Sequence, residues 1–241
     1  MSTGTITRQL SLNVQLNDDA TFDNFFVAEN SANEQAVKAA RALLDAKVQN
    51  PFVYVWGPEG VGVSHLLQAA CHEASLRGLQ SQYLPLEELA GFAPEALLEG
   101  LEQLHLLCLD GLQHVMGHTG WDHALFHLYN RLREGGQCRL LVSADCAPRD
   151  LGSHLPDLVS RMGWGITFHL QALSDDEKMQ ALKRRAHARG LDLGDDVVAY
   201  ILHRSARDMV ELFDCLDRLD ALSLAEKRRI TIPFIKTAFG W

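Results

Sequence analysis

The run Gly57-Pro58-Glu59-Gly60-Val61-Gly62-Val63-Ser64 has the residue types and spacing of a loop that holds phosphate. Glycines let backbone N–H groups converge on an anion, and the start of the following helix adds partial positive charge. The pattern G-x-x-x-x-G-K-[ST] is met everywhere except at Val63, which stands where the lysine belongs. An apolar run, "PFVYVW", precedes the loop, and a helical one, "VSHLLQAACHEASLRG", carries His65 directly after Ser64. Losing one charge-assisted hydrogen bond costs about 1.5–3 kcal/mol. That loss falls hardest on charge developing at a terminal phosphate during hydrolysis. The loop therefore suits holding a nucleotide better than cutting one; the alternative is a glycine-rich turn without a ligand.

A second acidic position points the same way. "LHLLCLDG" ends in Asp110, where a carboxylate would hold Mg2+, mostly through water, beside Ser64. Gly111 follows at the position where a hydrolysing enzyme carries a second carboxylate. The expectation is metal binding without activation of water.

The elements that must position these residues alternate. Helical patterns ("NEQAVKAARALLDA", "VSHLLQAACHEASLRG", "PEALLEGLEQ", "WDHALFHLYNRLREGG") are interleaved with short apolar runs ("PFVYVWG", "SQYLPL", "LHLLCLDG", "RLLVSAD", "GITFHL"). This predicts an α/β domain with a parallel five-stranded sheet of P-loop type and helices on both faces. After "LSDDEK", where Ser174 and Glu177 form a capping box, helices are expected over 175–189, 195–204, 207–222 and 232–239, making a small all-α domain. The expected divisions are a tail over 1–20, the α/β domain over 21–171 and the helical domain over 172–241.

Composition narrows the partners. The 241 residues carry a net charge of −9, which argues against a broad nucleic-acid-binding surface. The five cysteines have no metal-ligand spacing and read as buried thiols in a reducing compartment. With no apolar span of signal or membrane length, the expected location is the cytoplasm and no membrane partner is expected.

Four segments carry a family resemblance: "TFDNFFVAEN", "GPEGVGVSHLLQAAC", "RLLVSADCAPRDL" and "LPDLVSRMGWG". Together they resemble the AAA+ family, specifically the branch of the bacterial replication initiator DnaA and its shorter, inactivating relatives, from about residue 20 onward. The chain has no room for the initiator's flanking partner-binding and DNA-binding domains, so the shorter relatives are the nearer pattern. By this resemblance the helical part is an AAA+ lid, and Asp145 in "SAD" is similar to the sensor 1 polar residue. Arg207 in "SARDMVELF" is similar to the sensor 2 arginine, and Arg161 in "LVSRMGWG" to the arginine finger that enters a neighbour's nucleotide site. Without the resemblance, Arg161 is the partner of Asp157 in an i,i+4 pair.

"QLSLNVQL" alternates perfectly and reads on periodicity alone as an edge strand. Gln9, Leu10, Ser11, Leu12 and Val14 also resemble the longer form of the sliding-clamp-binding motif. The resemblance then implies a regulator of replication initiation that holds ADP or another nucleoside diphosphate, with Mg2+, and has no strong ATPase of its own. It would dock on the DNA sliding clamp, meet DNA indirectly through it, and stimulate hydrolysis of ATP on DnaA to prevent re-initiation; self-association remains open. The other readings are an AAA+ ATPase or helicase loader that hydrolyses its own ATP, and a clamp-associated scaffold that binds no nucleotide.

Overall fold

Alternate residues of each inner strand are apolar on both sides, so the sheet can be stable only with helices covering both faces. The computed structural model describes residue 16 and residues 20–29, 31–48, 51–205, 209–226 and 228–241. In chain order these form α1 (Ala32–Ala42), β1 (Phe52–Trp56), α2 (Val63–Leu76), β2 (Ser81–Pro85), α3 (Leu86–Leu89) and α4 (Pro94–Leu97). There follow β3 (Leu106–Asp110), α5 (Thr119–Gly135), β4 (Arg139–Ala144), α6 (Pro156–Met162) and β5 (Ile166–His169). Four further helices are α7 (Asp175–Ala188), α8 (Asp195–Arg204), α9 (Met209–Glu226) and α10 (Ile232–Phe239).

The five strands pair in parallel in the order β2-β3-β4-β1-β5. Phe52 and Tyr54 of β1, Leu107 and Leu109 of β3, and Leu140 and Val142 of β4 pack on α5 and α6. Their neighbours Val53, Val55, Leu106, Cys108 and Leu141 pack on α1 and α2. A fully buried leucine or valine contributes about 1.5–3 kcal/mol, and these strands bury nearly every residue. The chain crosses from β1 to β2 and β3, then returns to insert β4 between β3 and β1. The loop after β1 opens at this reversal, where ligands bind in sheets of this kind.

The expected strand "GITFHL" forms as β5, at the sheet edge beside β1 alone, with Ile166, Thr167 and His169 exposed. One expectation is corrected. The helix expected over "PEALLEGLEQ" stops at Leu97, because Gly100 takes φ +77° and only a 3-10 turn, Leu101–Gln103, follows. The lid helices lie close to the expected ranges. Ser174 caps α7 by accepting from the Glu177 N–H, while the Glu177 carboxylate accepts from the Ser174 N–H at 2.7 Å. The Ser174 hydroxyl, also donating to that carboxylate at 2.7 Å, and then the Ser174 N–H hold the Glu177 carboxyl below its ordinary range. The lid has a core of its own around Leu182, Val198, Ile201, Leu212, Leu216, Leu219, Phe234 and Ile235.

One buried side chain grips the chain at the junction between sheet and lid. Buried Asn33 on α1 donates to the Gln171 carbonyl and accepts from the Gln171 N–H, both at 2.9 Å. It pairs with the chain as a strand would, just past the point where Leu170 N–H donates to Trp56 O at 2.8 Å. All five cysteines are free thiols; Cys71, Cys108, Cys138 and Cys215 are buried and Cys146 is half-buried. Burial pushes Cys138 up to about 12 and Cys215 up to about 11, so neither is a thiolate near neutrality. No helix among the described residues is long and apolar enough to cross a membrane.

Replacing Asn33 by Ala leaves both backbone groups of Gln171 without their partner. We expect urea unfolding followed by circular dichroism to report a loss of about 1–3 kcal/mol.

Candidate functional site

Beyond β1 the loop turns tightly. A side chain at Gly57 would come within 2.8 Å of the Leu170 carbonyl oxygen, so only glycine fits against the end of β5. Gly60 and Gly62 have φ of +80° and +97°. Gly62 is the N-cap of α2 and no side chain caps that helix, so its first-turn N–H groups are left for a ligand. This is the fit expected of a phosphate cradle. Pro58, Glu59, Gly60, Val61, Gly62, Val63, Ser64 and His65 all line a cavity of about 500 Å³.

The other walls are Asn24, Phe25, Phe26 and Asn33 on one side, and Ala172, Leu173, Lys178, Met209 and Phe213 from the linker and lid on the other. Phe25 is a structural partner of the loop: a Cβ on Gly62 would be 3.0 Å from its ring. His65 ties the same segment down through its Nε2 to Thr21 O at 2.9 Å and an edge contact with Phe25. Lys178, in the first turn of α7, is the one Lys or Arg among the described lining residues. It faces a loop whose own cation is replaced by Val63.

Asp110, at the end of β3, does not line this cavity among the described residues. Its carboxylate accepts from the Tyr83 hydroxyl at 2.5 Å and from the Ser143 hydroxyl, and Ser143 Oγ in turn accepts from the Gly111 N–H at 2.8 Å. Burial, then the neighbouring Asp110, raises the Tyr83 hydroxyl pKa, so Tyr83 stays a donor across the ordinary pH range. Gly111 has φ +81°, and a Cβ there would meet His114 Cδ2 at 2.8 Å. A carboxylate side chain at this position is opposed by backbone strain, and the His114 ring would have to move aside.

Asp145 directly follows β4, is exposed, and donates its N–H to Gln113 Oε1 at 3.2 Å rather than lining the cavity. Burial and a bond to Asp145 push the Cys146 thiol up to about 11. Arg207 and the residues Gln9, Leu10, Ser11, Leu12 and Val14 lie outside the described residues. Arg161 stands on α6, away from the cavity. Its guanidinium lies 3.9 Å from the centre of the Phe126 ring and donates from Nη1 to Asp157 O at 3.2 Å. No carboxylate among the described residues pairs with it, so the i,i+4 ion pair with Asp157 is not formed.

Several contributors escaped the sequence reading. Lys178 and Asn33 sit on helices far from the loop in sequence and come together only through the linker. Tyr83 and Ser143 are isolated polar residues within apolar strands, a signal visible as an interruption of the pattern. Asp122 is another: buried in α5, it accepts from Gly117 N–H at 3.0 Å, Ser153 Oγ at 2.8 Å and His154 N–H at 2.9 Å.

A parallel sheet with this strand order, a phosphate loop after β1 and a helical lid across the cavity define a P-loop protein of the AAA+ class. Residues 16–169 match the model of the bacterial DnaA ATPase domain, and residues 175–239 match that of the Hda lid domain. The chain belongs to the bacterial DnaA ATPase domain family and is a replication-initiation-related AAA+ protein, with a lid of the Hda kind. Domain III of the Thermotoga maritima initiator DnaA superposes with a TM-score of 0.77 at 21% identity, covering 94% of this chain and 98% of that one. AMPPCP-bound DnaA from Aquifex aeolicus gives 0.71 at 26% identity, over 88% of this chain and 70% of that one. The Thermotoga maritima RuvB branch-migration motor gives 0.69 at 19% identity over 92% and 71%, a likeness of fold.

Gly111→Glu should not create an ATPase. We expect thermal melting to report a loss of about 1–2 kcal/mol from the left-handed backbone, with phosphate release unchanged from the parent protein.

Proposed function

We propose that this protein holds a nucleoside diphosphate, ADP above all, as a structural ligand and acts on ATP bound to the initiator DnaA. The observation that carries this reading is a separation of parts. The cavity keeps its cradle without a loop cation or a second carboxylate, while an arginine unpaired by any described carboxylate stands outside it on α6.

Within its own site, the α2 N–H groups and Ser64 bind phosphate, and Lys178 supplies positive charge in place of the missing lysine. Arg207 is assigned the same task from the lid. Mg2+, when bound, would shield the phosphate charge. Ser64 would hold it directly and Asp110 through water, since a carboxylate accepting two hydroxyls keeps further lone pairs. Nothing at Gly111 takes a proton from water, so the held nucleotide stays intact.

On the initiator, Arg161 donates to the phosphate oxygens on which negative charge grows as the terminal bond breaks. A finger of this kind is worth about 10³–10⁵ in rate in GTPases. The tail residues Gln9, Leu10, Ser11, Leu12 and Val14 are assigned to the sliding clamp, which would bring the protein onto DNA beside the initiator. The domain divisions at residues 20 and 171 follow from the same reading.

Two measurements test it. In the first, ATP hydrolysis by the initiator is followed with clamp-loaded DNA. Arg161→Ala should lose at least about 100-fold of the stimulation, and Leu12→Ala should lose it unless the clamp is bypassed by high protein concentration. Full activity in both variants, alongside vigorous intrinsic hydrolysis, would sink the proposal. In the second, ADP with Mg2+ at about 100 times its Kd should stabilise the protein by about 2.7 kcal/mol. Lys178→Ala should weaken binding about tenfold and Val63→Lys should tighten it; an unchanged melting temperature with ADP would favour a scaffold without a nucleotide.

A further inference from the structure

Asp110 is one of two residues assigned to Mg2+ above, yet its carboxylate is engaged elsewhere. Side chains alternate along a strand. Asp110, two residues past Cys108, and Ser143, two past Leu141, therefore face the layer that contains α2, as Tyr83 does. The Tyr83 hydroxyl donates to Asp110 Oδ2 at 2.5 Å and the Ser143 hydroxyl donates to Oδ1. Gln68 of α2 donates from Nε2 to the Tyr83 oxygen at 3.3 Å, which turns the phenol proton toward Asp110. Gln68 lies one helical turn after Ser64 and on the same face of α2. The chain Gln68–Tyr83–Asp110 thus runs from the helix that carries Ser64 to the strand that carries the carboxylate. Among the described residues, no hydrogen bond joins Asp110 to Ser64, and Asp110 does not line the cavity.

We propose that Tyr83 is a positioning residue that keeps nucleotide binding only weakly dependent on Mg2+, by holding the Asp110 carboxylate toward β2; this rests on the nucleotide reading above. Hydrogen bonds to an ionised carboxylate are about twice as strong as those between neutral groups. A water in the cation's shell would have to donate to the same oxygens that the two hydroxyls already occupy. Each hydroxyl fixes the direction of the carboxylate and satisfies part of its charge, so less of either is left for the cation. A phenylalanine ring in place of Tyr83 keeps the packing and removes the donor, which frees Oδ2 to accept from such a water.

The test is calorimetric titration of ADP into the full chain, once with Mg2+ and once with EDTA, read as the ratio of the two affinities. Tyr83→Phe should raise the gain from Mg2+ about 3–10-fold. A loosened fold weakens both affinities together and leaves their ratio unmoved, so the ratio separates a role toward the cation from a merely structural one. Ser143→Ala frees Oδ1, should move the ratio in the same direction, and takes over as the test if Tyr83→Phe does not fold. In an Asp110→Asn background, Tyr83→Phe should leave the ratio unchanged. A ratio in Tyr83→Phe at or below the parent's, or a rise that persists in the Asp110→Asn background, would overturn the proposal. The parent protein separates the two levels. If it binds ADP and Tyr83→Phe leaves the ratio where it was, only the role of Tyr83 fails; if it binds no ADP under either condition, the nucleotide reading and this inference fail together.

Discussion

The end of β5 is the point on which the site depends. Gly57 presses so closely on the Leu170 carbonyl that a Cβ would sit 2.8 Å away, and one residue later Asn33 holds Gln171 through both backbone groups. These contacts fix three things at once. They set where the phosphate loop starts, how α1 lies against the sheet, and the direction in which the chain leaves for the lid. Since Asn33, Ala172, Leu173 and Lys178 all line the cavity, its walls come from both sides of that junction. Packing is unforgiving there because backbone meets backbone, and neither side has a rotamer to yield.

Given that frame, the chemistry of the site is set by substitutions of charge. An apolar Val63 removes the cation from the loop, and Lys178 returns one from the opposite wall. Asp110 turns both oxygens to hydroxyl donors inside the protein, and Gly111 is held in a conformation that disfavours any side chain. The three changes are separate in sequence, and under the proposed function they act in one direction, toward retention of a bound anion over attack on it.

Much of this was legible from the chain. The glycine spacing, strand alternation and lid capping box each rest on local rules, and β1, α2, α7 and α10 lie where those rules put them. What was not legible depends on the third dimension. "GITFHL" is apolar enough for an inner strand, and nothing local says that β5 has a single neighbour. "PEALLEGLEQ" keeps a helical period through Gly100, where the backbone turns left-handed. Arg161 and Asp157 have ideal ion-pair spacing, but Phe126, thirty-five residues earlier, captures the guanidinium instead. Asn33 and Lys178 reach the site only because the junction brings α1 and α7 to the loop.

The hydroxyl bonds to Asp110 have a consequence for reading other chains. Tyr83 on β2, Ser143 on β4 and, through Ser143, the Gly111 backbone are linked by this one carboxylate, which thus stitches three adjacent strands at their C-terminal ends. An aspartate there thus has a task in the sheet whether or not the chain hydrolyses nucleotide, and its presence in a sequence does not by itself mark a working ATPase.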